Sequence, residues 1–200
     1  MGSASVFFLV VVAAILAIAG FAIGVYNQLV RLMNRYKNAF AQIEVQLKRR
    51  HDLIPNLVET AKGYMKHERE TLEEVVLARN QAVSGLQNAK KNPGSPEEMQ
   101  ALGGLEEKLT ASVSRLFALM EAYPDLKANE NMLRVQEELT STENKVAFAR
   151  QSYNDSVMRF NTYKQEFPAV VLAGLFGFSE DAGLLEFDSA AIEEAPKVTF

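Results

Sequence analysis

Residues 6–25, VFFLVVVAAILAIAGFAIGV, run for twenty positions without a charged side chain. As a helix, twenty residues cover about 30 Å, the depth of a bilayer's hydrocarbon core. A lone apolar segment in lipid must satisfy its own backbone hydrogen bonds, which a helix does. A cleavable signal sequence would instead need a basic lead, a shorter apolar stretch and a small-residue cleavage site. Residues 1–5 carry no side-chain charge, so residues 1–25 read as an N-terminal segment with a retained transmembrane helix. Arg31, Arg35 and Lys37 follow directly, and Lys48, Arg49 and Arg50 lie a little further on. The positive-inside rule then places the short N-terminus outside and the larger remainder in the cytoplasm.

About 175 residues remain, enough for one core and short for two. The net charge is −4 with 23% charged residues, a balance that does not suggest a nucleic-acid binder. Charge is unevenly spread, because Glu180, Asp181, Glu186, Asp188, Glu193 and Glu194 face only Lys197 in the last stretch. The chain has no cysteine, which removes disulfides, thiolate chemistry and Cys-ligated metals together.

From Leu29 the apolar residues fall on a seven-residue repeat. One set is Met33, Phe40, Leu47, Ile54 and Ala61; the other is Tyr36, Ile43, Leu57 and Tyr64, with Arg50 in an apolar slot. Such a seam packs helices at a shallow angle. Pro55 interrupts it chemically, since proline lacks the amide donor and crowds the carbonyl four residues back. The repeat keeps its phase across Pro55, which favours a kink; the alternative is a stop, with Asp52 capping a fresh helix. A second pattern uses Leu72, Val75, Val76, Val83 and Leu86, and then QNAKKNPGS (residues 87–95) reads as a loop. Ser95-Pro96-Glu97-Glu98 is a helix start with a capping box. The third helix carries Leu102, Leu105, Leu109, Val113, Leu116, Leu119 and Tyr123 before Pro124. Asn129 can cap the fourth, whose repeat is the cleanest: Met132, Leu139, Val146, Tyr153, Phe160 and Phe167.

The first two patterns could form one rod, but at about 100 Å it would outrun both later helices. A turn near residues 63–67 instead makes an all-α, antiparallel, up-and-down four-helix bundle over residues 26–167. Residues 168–200 then form an apolar, later acidic, tail. Its segment AVVLAGLFGF (residues 169–178), with Leu172, Leu175, Phe176 and Phe178, emerges near the bilayer and is too short to cross it. It either lies in the interface or packs across the bundle end.

Chemistry-bearing motifs are sparse. Neither His51 nor His67 has glutamate three residues earlier, as a di-metal bundle requires, and Thr71 stands where a zinc-protease helix needs its second ligand. Each histidine reads as a surface or helix-end residue, and no catalytic or cofactor site is expected. Polar residues on apolar faces are more informative. Glu143 and Arg150 are seven apart, as are Asn154 and Asn161, so each pair shares one side of the fourth helix. With Arg50 they are expected to form a buried polar network, joining Arg50 or Arg150 to Glu143. That network either fixes helix register or forms a ligand pocket or switch. Within the span, Gly20 and Gly24 form a GxxxG spacing that lets two helices approach closely.

Three stretches carry a family resemblance: YNQLVRLMNRYKNAFAQIEVQLKRRHDLIPNLVETAKGYMKHE from Tyr26, EAYPDLKANENMLRVQEELTSTENKVAFARQSYNDSVMRFN from Glu121, and the ending Phe176-Gly177-Phe178. On these the chain resembles the LemA family over nearly its whole length. The resemblance implies a bacterial single-pass inner-membrane protein with a long four-helix bundle and no established enzyme activity. One family relative is associated with forming magnetosome membranes. The chain departs from the family pattern at Phe40, where tryptophan is expected, and at Val170, where asparagine usually follows Phe167-Pro168. The functional expectation is a scaffold that contacts the lipid bilayer, forms a homo-oligomer and organises membrane or partner proteins. A membrane-bound signalling or stress-response adaptor is the alternative.

Overall fold

A computed structural model describes residues 2–186. Its elements are α1 (Ser3–Lys62), α2 (Arg69–Lys91), α3 (Pro96–Met120), the short α4 (Pro124–Lys127), α5 (Glu130–Gln165) and the short α6 (Ala169–Ala173). No strand occurs among the described residues. The chain is all-α, and an apolar N-terminal helix runs into an antiparallel up-and-down bundle of α1, α2, α3 and α5.

Side-chain pairs give the directions. Lys90 meets Glu44 while Arg79 meets Asp52, so α2 descends along α1. Asn129 bonds Tyr64 while Phe160 packs on Tyr36, so α5 also descends along α1. The helix starts follow their caps: Ser95 Oγ accepts from the Glu98 amide with Pro96 in the first turn, and Asn129 Oδ1 accepts from the Met132 amide. Between α2 and α3, Gly94 has φ 97° and a Cβ there would lie 2.8 Å from the Tyr36 ring, so both backbone and space demand glycine.

The seam residues Tyr36, Phe40, Ile43, Leu47, Ile54, Leu57 and Ala61 are all buried, as are Met132, Leu139, Val146, Tyr153 and Phe160. The repeat stops at both ends, because Tyr64 and Phe167 are exposed. The core has two clusters. One, towards the apolar helix, gathers Leu29, Phe40, Leu47, Leu102, Val146 and Tyr153. The other, at the far end, gathers Ile54, Leu57, Leu109, Leu116, Met132 and Leu139.

α1 passes without a break from the apolar stretch into the bundle. Its most apolar 18-residue window has a mean hydropathy of 3.0 and none of it is buried against protein. Burial begins at Val25 and Leu29.

Candidate functional site

Between the two apolar clusters lies a polar layer. Arg50, His51 and Glu106 are 7%, 2% and 1% exposed. Arg50 Nη1 donates to Glu106 Oε2 at 3.2 Å and Nη2 donates to Thr110 Oγ1 at 2.8 Å. His51 Nε2 lies 2.6 Å from Glu106 Oε1. Arg50 and His51 thus share one buried carboxyl group, an arrangement that offsets part of its desolvation. On α5 the buried Thr142 sits at the same level, between Leu139 and Val146, and returns its hydroxyl to Glu138 O.

Pro55 extends this layer to α2. The helix continues through it, yet a proline has no amide to bond the carbonyl four residues back. That carbonyl belongs to His51, and Arg79 Nε of α2 donates to it at 3.1 Å. The bond missing inside α1 is replaced by one between helices.

The buried partner of Arg50 is therefore Glu106, not Glu143. Glu143 is exposed on α5, and Arg150 is half-buried beside Asn154, Leu185 and Glu186. His51 is not at the surface either; only His67 is. Both missed residues carried the same signal. His51 stands four after Leu47 and three before Ile54, and Glu106 stands four after Leu102 and three before Leu109, which is inward-facing spacing.

Asn154 and Asn161 have a different task. Each reads one residue of the tail in both directions. Asn154 donates to Leu185 O at 3.1 Å and accepts from Leu185 N at 2.9 Å, while Asn161 does the same with Ala182 at 2.9 Å each. Seven helical residues rise about 10.5 Å, and three extended residues advance about 10 Å. The two periods match, so an extended strap runs antiparallel along α5. Tyr153 Oη adds a bond of 2.8 Å to Gly183 O, and Gly183 N donates to Gly94 O at 2.8 Å. Burial pushes the Tyr153 hydroxyl pKa far up, which keeps it a donor. A Cβ on Gly183 would lie 2.6 Å from Pro96 Cα, so only glycine fits where the strap crosses the start of α3. Lys164 pairs with Asp181 and holds its carboxyl below the usual range; Gln165 adds a bond of 2.9 Å. The acidic residues from Asp188 onward lie outside the described residues.

Where α1 enters the bundle, the apolar tail segment divides by face. Ala169 and Ala173 are buried, Leu172 packs on the adjoining core, and Phe176 and Phe178 stand 5.3 and 6.1 Å from the Tyr26 ring. Phe167, Val170, Val171 and Leu175 point outward. In the apolar helix, a Cβ on Gly20 or Gly24 would meet nothing within 4 Å. Among the described residues no cluster of three or more His, Cys, Asp or Glu could hold a metal ion.

A bundle continuous with an apolar helix, strapped by its own tail, defines a membrane-associated helical protein. The LemA family pattern matches residues 39–200, and the chain belongs to the LemA family. It is 29% identical over 140 residues to Protein LemA of Metamycoplasma hominis, covering 70% of this chain and 59% of that protein. It is 24% identical over 168 residues to Magnetosome protein MamQ 2 of Paramagnetospirillum magneticum, covering 76% and 62% respectively. The chain thus matches about three fifths of the length of these relatives.

Proposed function

We propose that this protein is a single-pass scaffold of the bacterial inner membrane, with its bundle in the cytoplasm, that self-assembles and organises membrane or partner proteins. The observation that carries this reading is the unbroken α1, which joins a fully exposed apolar span to a packed bundle without a linker. A bundle so joined holds a fixed direction relative to its anchor, as a structural element requires. The basic residues Arg31, Arg35 and Lys37 beyond the span support the orientation. The magnetosome name of one relative favours a role at membranes. Open space beside Gly20 and Gly24 suits close approach of a second span.

Size analysis in mild detergent at several protein concentrations tests the assembly. An oligomer that dissociates on Gly20→Ile with Gly24→Ile is expected, and a strictly monomeric particle at every concentration overturns it. A second reading, a membrane-bound signalling adaptor, is favoured by the strap, because an extended segment held through backbone bonds could be exchanged for another. It predicts one defined protein crosslinked in intact membranes, with capture altered by Asn154→Ala.

A further inference from the structure

The outward face of the tail segment has no partner within the chain. Phe167 and Leu175 are 84% and 81% exposed, and Val170 and Val171 continue the patch between them. Four large apolar side chains on one face are unusual for a surface bathed in water. The other face is fully committed to the bundle through Ala169, Ala173 and the aromatic contacts with Tyr26. This segment therefore cannot turn over to hide its apolar side.

Its location says what covers it. Tyr26 is the first residue after the apolar span, and Phe176 packs edge-on against it. The patch is thus held within a helical turn or two of the point where α1 leaves its apolar stretch. Arg31, exposed on α1, lies six residues past Val25, about 9 Å along the helix. That reaches the outer edge of a headgroup layer, which adds about 5–8 Å beyond the hydrocarbon core on each side. An apolar face, a tyrosine and a cation suit the acyl chains, the interface and the phosphates that a bilayer surface presents.

We propose that residues 167–175 form a lipid-contacting foot: their exposed face lies in the interfacial layer of the same bilayer that α1 crosses, giving the bundle a second membrane contact. The foot rests on the reading of α1 as a membrane anchor. Two contacts, one axial and one lateral, fix rotation as well as tilt, which one span alone does not. The occupant is the lipid surface, continuous with the span, rather than a second copy.

The chain contains no tryptophan, so a single introduced indole reports its own surroundings. Full-length protein is placed in lipid nanodiscs at a single chain per disc, with acyl chains brominated as quenchers. The variants are Leu175→Trp at the foot, Phe21→Trp in the span and Phe148→Trp on the exposed bundle side, where the native ring is 80% exposed. Leu175→Trp and Phe21→Trp should each be blue-shifted and lose emission on the order of two-fold, as a face sunk about 5–10 Å into the interface requires. Phe148→Trp should be unaffected. If Phe21→Trp is quenched and Leu175→Trp behaves like Phe148→Trp, the foot is wrong and the anchor stands. If Phe21→Trp is not quenched, the anchor reading fails and the foot with it. If Leu175→Trp is shielded only at higher loading and without quenching by lipid, a second copy covers the patch and the proposal is overturned.

Discussion

At the residue scale, Glu106 is the most consequential side chain, because its one buried carboxylate on α3 holds two side chains of α1, Arg50 and His51. Its removal leaves the buried Arg50 with the Thr110 hydroxyl and no countercharge. Glu106→Ala is expected to cost about 3–5 kcal/mol in chemical unfolding of the detergent-solubilised protein. Arg50→Met with Glu106→Leu removes both charges and should recover most of that loss, as replaced buried ion pairs generally do. Pro55 and Arg79 form a second coupled pair. Arg79→Ala should destabilise by about 1–3 kcal/mol, since the His51 carbonyl loses its donor. Pro55→Ala restores the amide to α1, so Arg79→Ala on that background should cost less; a strictly additive double-mutant cycle would refute the coupling. The seam exposed Arg50 and Pro55 to view, but not their partners. Which helix faces a buried cation depends on how four seams are rotated together, and a single repeat does not encode that.

At the element scale, the strap shows how an irregular segment is fixed by a regular one. Its contacts use backbone groups at Ala182, Gly183 and Leu185, so they leave no periodic mark on residues 179–186. The asparagine pair on α5 was legible as a pair, whereas the peptide it reads was not. Asn154→Ala should raise amide hydrogen exchange at Leu185 by one to two orders of magnitude, equivalent to about 1–3 kcal/mol for an orphaned polar group. Gly183→Ala should release Ala182 as well, because its new methyl group meets the backbone of Pro96 rather than a yielding side chain. Unchanged exchange in either variant would show that the strap is held by something else. Asp181 adds a pH dependence. Its folded pKa is lowered, first by the hydrogen bond from Lys164, so its contribution is complete above the ordinary aspartate value of about 3.9. It is lost as pH falls through the lower folded value. Strap exchange should accelerate in that acid window, and Asp181→Asn should remove the step.

At the scale of the whole molecule, two apolar clusters with a charged layer between them make a bundle whose halves are joined through directional bonds. Sliding α1 or α3 by one turn would leave Glu106 opposite Leu47 or Ile54 instead of Arg50 and His51, so the layer selects one register between these two helices. The four long helices of the bundle, their order and the turn after Lys62 followed from seven-residue periodicity and caps, because those signals are local, whereas the short α4 and α6 left no such repeat. The tail divided its two faces in a way that local signals leave open, since the buried Ala169 and Ala173 flank the exposed Val170 and Val171 within one short helix.

The absence of a joint in α1 turns it into a lever. From Val25 to Lys62 the helix extends about 55 Å, and spans in bilayers lean by about 20° on average. A lean of that size displaces the far tip sideways by about 20 Å. Without a lateral contact to hold the lean, small changes in bilayer thickness would thereby be magnified into large excursions at the end farthest from the lipid.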